Sequence, residues 1–295
     1  MKLITYEQNG VQAVGLLHQR EGMILPVRTA GLSYDSMNDL IERATEQELE
    51  RLRQADRGAE GFSLPLAEVQ LLAPIPQPRQ DVICLGLNYT EHAQEAAAYA
   101  RDSFISRDGR CPVYFSKRVG WAPGDGAGIP AHEAVTERLD YEVELAVIIG
   151  RDAKNVPPEE ASRYIFGYTV CNDVSARDLQ TAHTQWYFGK SLDGFTPLGP
   201  VIVTADEIPF PPRLKIMSRV NGELRQSSTT DMLLFGIDYI VSNLSQGMTL
   251  RAGSIIATGT PKGVGMGFDP PKFLRKGDVV ECEIEAIGTL TNPIV

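Results

Sequence analysis

Leu139-Asp140-Tyr141-Glu142-Val143-Glu144-Leu145-Ala146-Val147-Ile148-Ile149-Gly150 is an apolar, β-branched run that carries two glutamates two residues apart. Side chains alternate faces along a strand, so Glu142 and Glu144 point the same way. The residues that continue their face are Ala146 and Ile148, which belong in a core rather than in solvent. The next apolar run, Tyr168-Thr169-Val170-Cys171-Asn172, ends at a third carboxylate, Asp173. Acids entering an apolar face need compensation, because an unpaired buried carboxylate is costly or neutralises itself. A divalent cation held by oxygen ligands would supply the missing charge.

Composition narrows the partners. The chain has 295 residues and a formal net charge of -10, which argues against nucleic acid and against anionic membrane surfaces. A small anionic substrate remains compatible, since a metal and a few local basic residues make a positive pocket. Cys84, Cys111, Cys171 and Cys282 lie far apart and form no CxxC, so neither a disulfide framework nor a zinc cluster is expected. The first residues carry no signal-peptide pattern and no apolar run approaches transmembrane length, which predicts a cytoplasmic protein.

Outward from the opening stretch, the N-terminal segment reads as three short strands, Lys2 to Tyr6, Val11 to Leu17 and Met23 to Val27. Gln8-Asn9-Gly10 and Arg20-Glu21-Gly22 are the turns between them. Ser36 with Asp39 predicts a capping box opening one amphipathic helix through Leu40, Ile41, Leu49 and Leu52 to Gly58. Ala73-Pro74-Ile75-Pro76-Gln77-Pro78 is a stiff connector. We expect a small, β-rich N-terminal domain over 1–75, serving as a cap or packing module, and a catalytic domain over 76–295.

In the second segment Val82 to Leu87 reads as a buried strand leading into an alanine-rich helix. On that helix His92 and Glu95 are i and i+3 and face each other. A carboxylate beside an imidazole favours its basic role, whereas the plain alternative is an exposed ion pair. Ser175 with Asp178 resembles a second capping box, which places Asp173 in a strand-to-helix turn with Arg177 and Gln180 on the following helical turn. Asp231 to Leu244 reads as a helix. Thr258-Gly259-Thr260-Pro261-Lys262-Gly263-Val264-Gly265-Met266-Gly267 lacks P-loop spacing, so its glycines are expected to let backbone approach a ligand closely.

Taken together these residues resemble the fumarylacetoacetate hydrolase family. The likeness runs from about Pro74 to the C-terminus. It rests on Gly86-Leu87-Asn88-Tyr89 with His92 and Glu95, on Asp140-Tyr141-Glu142-Val143-Glu144-Leu145, on Asn172-Asp173-Val174-Ser175-Ala176-Arg177-Asp178-Leu179-Gln180, on Gly189-Lys190-Ser191, and on Thr258 to Gly265. The resemblance implies an α/β, β-rich fold: a mixed β-sheet roll with flanking short helices, joined to the small α+β N-terminal domain and dimeric. It implies Glu142, Glu144 and Asp173 as metal ligands and His92 with Glu95 as a catalytic dyad on a lid. It likewise implies that Lys190 stabilises developing charge and that Tyr89, Arg177, Gln180 and Thr260 contact substrate.

The family's namesake carries a fourth carboxylate ligand near Asn88, so three acids point to Mg²⁺ or Mn²⁺ rather than Ca²⁺. The Tyr99 to Arg110 segment is longer and more charged than the usual lid region. The Thr181 to Tyr187 stretch, with His183 and Trp186, matches no family pattern and is expected at the pocket mouth.

The chemistry the family implies is metal-assisted enolate formation on a small 2-oxo or 2,4-dioxo acid. Hydrolysis of a C–C bond in an acylpyruvate-type acid is the expected reaction. The alternatives are decarboxylation of an oxaloacetate-like acid or isomerisation of a dienoic diacid in aromatic or sugar-acid catabolism. A catalytically silent, metal-stabilised binding protein is the non-enzyme alternative.

Overall fold

The run that opens the argument is buried on both faces. Val143, Leu145, Val147 and Ile149 belong to one hydrophobic cluster, whereas Ala146 and Ile148 belong to another on the opposite side. The parity expected from alternation is therefore the observed one. The computed structural model describes residues 1–18, 22–58, 61–99 and 111–295. Arg20 and Glu21 of one expected turn, and most of the Tyr99 to Arg110 segment, lie outside the described residues.

The chain opens with β1 (Lys2–Gln8), β2 (Val11–His18) and β3 (Met23–Pro26), then α1 (Met37–Arg43), α2 (Glu46–Gly58), β4 (Leu64–Pro65) and β5 (Gln70–Leu71). Next come β6 (Val82–Gly86), α3 (Thr90–Tyr99), β7 (Val113–Lys117), β8 (Leu139–Asp140), β9 (Val143–Ile149), β10 (Ile165–Asn172) and β11 (Ser175–Ala176). The remainder holds α4 (Arg177–Ala182), α5 (Tyr187–Lys190), β12 (Leu198–Thr204), β13 (Lys215–Val220), β14 (Glu223–Thr229), α6 (Ile237–Gly247), β15 (Ile255–Ala257), β16 (Val279–Ile284) and β17 (Gly288–Pro293).

Among the described residues the main sheet runs β4-β3-β2-β1-β12-β10-β9-β15-β6-β7, with β5 added to β1. It is mixed, since β15 and β6 are parallel while β9 and β10 are antiparallel. A second sheet, β14-β13-β16-β17, packs beside it, and β8 pairs with β11. This is the expected sheet-rich α/β fold with short helices.

The segments before and after residue 75 share the main sheet, because β1 pairs with β12 through Leu3 and Ile202. They also share a core. Leu3, Val14, Leu16, Leu25, Met37, Leu40 and Leu52 pack in the same cluster as Ala146, Ile148, Ile202 and Ala257. We keep the 1–75 and 76–295 division as a proposal about two modules sharing one interior. Among the described residues no helix is long and apolar enough to cross a membrane.

Three local expectations need correction. The single helix expected from Ser36 to Gly58 is two helices. Ser36 Oγ does accept the Asp39 N–H (3.1 Å), but Ala44 leaves the helical region, and Thr45 with Glu48 forms a second capping box. Ser175 is not an N-cap: it lies in β11, and its hydroxyl donates to Asp173 O (3.0 Å). The helix expected from Asp231 begins at Ile237, because Leu233 is held in a β-bridge to Tyr89.

Candidate metal and acid–base site

Glu142 stands just before β9, Glu144 is the second residue of that strand, and Asp173 follows the neighbouring β10. Antiparallel pairing opposes Glu144 to Cys171, which brings the three acids to one end of the pair. All are buried, and their ligand oxygens lie within 4.8 Å of one another. Spacing, strand parity and pairing alone account for this convergence.

Three buried cations face the cluster. Lys190 Nζ donates to Glu142 Oε2 (2.7 Å) and to Asp173 Oδ2 (2.8 Å). Arg177 Nη2 lies 2.6 Å from Glu142 Oε1. Lys117, fully buried at the end of β7, donates to Asp173 Oδ1 and to Val174 O.

The resulting charges are uneven. Burial opposes the Glu142 charge, yet Lys190 and Arg177, with a smaller contribution from His92, hold its carboxyl well below the usual range. Glu144 goes the other way: burial, Asp173 and Glu142 push it well above that range, against the pull of Lys190 and the Gly259 N–H (2.8 Å). Burial also opposes the Lys190 charge, but Asp173 and Glu142 keep it above an ordinary lysine. Clustered hard oxygen donors, one of them driven toward protonation by its neighbours, fit a divalent cation of the Mg²⁺ or Mn²⁺ kind.

His92 and Glu95 sit on α3. His92 is buried, and its Nδ1 lies 3.0 Å from Glu95 Oε2. The pair is therefore not the exposed ion pair of the plain alternative. The Gly263 N–H donates to Glu95 Oε1 (3.0 Å), fixing the carboxylate from its far side. The glycine-rich loop makes this possible. A Cβ at Gly263 would lie 2.1 Å from Arg225 O at a φ of +101°, and one at Gly267 would lie 2.2 Å from Glu95 Oε1. The glycines do allow close approach, but to the chain's own backbone and side chains.

The remaining expected residues divide. Tyr89 is buried beside the cluster, where its hydroxyl has no hydrogen-bond partner among the described residues. Burial raises that hydroxyl's pKa, and Glu144 and Asp231 add to the effect. Arg177 is engaged by Asp140 and Glu142, and its Nη1 donates to Gln180 Oε1 (3.0 Å). Thr260 is buried, with its hydroxyl donating to Val143 O (2.9 Å) and accepting from Gln226 Nε2 (2.7 Å). Trp186 lies edge-on to Phe115 and over Gly86, whereas His183 is exposed and bonded to Leu179 O. A cavity of about 400 Å³ opens beside Tyr89, Glu91, Met232 and Pro261; the three carboxylates are not in its walls.

Sequence reasoning missed Lys117, Asp140 and Gln226, and marked Asn88 only as the place of an absent acid. Asp140 has the same parity as Glu142 and Glu144, a signal that was available. Lys117 ends β7, and nothing local in the sequence hints at a partner 56 residues away. The Asn88 amide donates to Phe235 O (3.1 Å) and Thr258 O (2.8 Å), and its oxygen accepts from Phe235 N (2.9 Å). That pattern explains the departure from a fourth acid: a carboxylate would face two carbonyl oxygens.

Known proteins resemble this chain in sequence and in fold. Residues 81–295 match the family model described as fumarylacetoacetate (FAA) hydrolase, C-terminal. The oxaloacetate tautomerase YisK of Bacillus subtilis (strain 168) is 49% identical over 233 residues, covering 79% of this chain and 75% of that protein. The structure of a fumarylacetoacetate hydrolase from psychrophilic Exiguobacterium antarcticum superposes with a TM-score of 0.83 at 39% identity, covering 100% of this chain and 99% of that one. A maleylpyruvate hydrolase from Sphingobium sp. SYK-6, in complex with manganese(II) ion and pyruvate, gives 0.76 at 29% identity, with 100% and 99% coverage.

Proposed function

The chain belongs to the fumarylacetoacetate hydrolase family, and from that premise we propose a metal-dependent enzyme in which the His92–Glu95 pair moves a proton on a small 2-oxo acid. The observation that carries this reading is the buried dyad, with its carboxylate fixed from both sides by His92 and by Gly263 N–H.

With Nδ1–H donated to Glu95, the imidazole presents Nε2 as the base. Glu95 holds that tautomer and offsets the positive charge His92 acquires. Lys190, kept protonated by its carboxylate neighbours, is a fixed cation that favours negative charge developing on the substrate. The buried Tyr89 hydroxyl offers a hydrogen bond to a substrate oxygen. The Thr260 hydroxyl is already engaged, so its backbone N–H is the group we assign to the substrate carboxylate. Glu142, Glu144 and Asp173 would hold Mg²⁺ or Mn²⁺, which when bound supplies Lewis acidity toward the 2-oxo carboxylate.

The reaction we place first is keto–enol interconversion of an oxaloacetate-like diacid. His92 takes a proton from C3, and the enolate oxygen receives one. The 49% identity to a protein named as an oxaloacetate tautomerase favours it. The expected C–C hydrolysis of an acylpyruvate-type acid is the second reading, supported by the likeness to a protein named as a maleylpyruvate hydrolase. There the same base deprotonates a water that attacks the C4 carbonyl, and cleavage leaves a carboxylic acid and the enolate of pyruvate.

The test is to supply Mn²⁺ with enol oxaloacetate and, separately, with a panel of acylpyruvates. Decay of enol absorbance at unchanged mass supports tautomerisation, pyruvate plus an acid supports hydrolysis, and CO₂ supports decarboxylation. Unimpaired turnover in His92→Ala, or after thorough chelation, sinks the reading. A homodimer is carried as part of the proposal, and sedimentation of the purified chain tests it.

A further inference from the structure

Asp140 is fully buried and stands two residues before Glu142. Its Oδ1 accepts from Tyr141 N (2.9 Å) and Gly265 N (2.6 Å), and its Oδ2 accepts from Met266 N (2.9 Å) and Arg177 Nε (2.8 Å). Each end of this arrangement leads to a different half of the site. Arg177 goes on to Glu142, in the carboxylate cluster. Gly265 and Met266 belong to the loop whose Gly263 N–H holds Glu95 and whose Gly267 closes on the Glu95 side chain. A further link from α3 to this loop, Lys262 with Glu91 at 3.0 Å, is solvent-exposed and contributes little.

We propose that Asp140 is a positioning residue that registers the His92–Glu95 dyad against the carboxylate cluster, through Arg177 on one side and the glycine-rich loop on the other. The inference rests on the dyad reading above. A carboxylate suits this post because both oxygens meet only donors. Asparagine is nearly isosteric but turns one acceptor into an NH₂ facing two donors, so whichever way the amide sits two donors lose their acceptor and one of them is a loop N–H, Gly265 or Met266.

The first measurement is amide hydrogen exchange across 258–267 in the full chain, without metal and with Mn²⁺ alone. In Asp140→Asn we expect exchange at 263–266 to rise about tenfold, the equivalent of one lost charge-assisted bond. We also expect Mn²⁺ to slow this exchange in the parent protein and not in the variant. Unchanged exchange overturns the proposal. The second is a double-mutant cycle in turnover with Glu95→Gln. A positioning role predicts that the double variant is no slower than the slower single one, with kcat falling more than KM changes; multiplied losses overturn it. Full turnover in Glu95→Gln would overturn the dyad reading together with the last link here, and the exchange data tell that outcome from failure of the clamp. Should Asp140→Asn not fold, Asp140→Ser, which keeps one acceptor, is read the same way.

Discussion

Replacing Asn88 by Asp tests why this chain carries three acids at its site rather than four. Asn88 is 1% exposed and satisfies three backbone groups, two carbonyls and one N–H, from segments far away in the chain. Aspartate keeps the acceptor for Phe235 N but turns an oxygen toward Phe235 O and Thr258 O. Two hydrogen bonds are lost, each of about 1 kcal/mol net, and a buried charge is left without a partner. The sum falls near the about 3–5 kcal/mol observed for uncompensated buried charges. In a chain of this size that is a fall in Tm of roughly 10 °C.

The pH dependence has a definite sign. Burial would raise the pKa of the new carboxyl above its unfolded value, so the penalty is full above the folded pKa. It shrinks as pH falls, and below the unfolded value of about 3.9 only the cost of the hydrogen bond that a single carboxyl O–H cannot replace remains. Urea melts in EDTA at two pH values read both effects. A variant within about 1 kcal/mol of the parent at neutral pH, or a gap that does not narrow on acidification, would refute the reasoning. Added Ca²⁺ should not restore stability, because the side chain is turned toward Phe235 and Thr258.

Lys117→Met removes a cation whose charge meets Asp173 in the interior. We expect a loss of about 3–5 kcal/mol without metal and a larger Mn²⁺-induced rise in Tm than in the parent, and an equal rise would count against a shared charge balance. Gly267→Ala puts a methyl into the Glu95 carboxylate, and turnover should fall about a hundredfold with the melting curve little changed; normal turnover would show that Glu95 tolerates displacement. A chain of residues 76–295 alone would expose the β12 edge and the apolar face that packs on Leu3, Leu16 and Leu40. It should therefore aggregate, and a soluble, folded product would mean the two modules have separate cores.

Much of the site was legible because its geometry is local. Alternation along one strand placed Glu142 and Glu144 together, and helical spacing placed His92 against Glu95. The same rule, carried one step back, reaches Asp140. Turn chemistry was legible too: Asn9 and Gly10, expected as a hairpin turn, are both left-handed, as an Asn-Gly hairpin requires. The misread points were those where a distant contact overrode local propensity. Residues 233–235 are extended rather than helical because Leu234 N–H and Phe235 N–H are both bonded to Asn88. Ser175 is a strand residue because β8 pairs with it.

By itself, the sequence determined that two acids share a buried face and that a third follows the next run, because side-chain direction along a strand is set by covalent geometry. It also carried the motifs of the family. The tertiary structure alone decided how that charge is balanced. Lys117, Lys190 and Arg177 reach the cluster from three elements, while the glycine-rich loop reaches Asp140 on one side and Glu95 on the other. Those partners lie far apart along the chain, and spacing carries no information about contacts that packing creates.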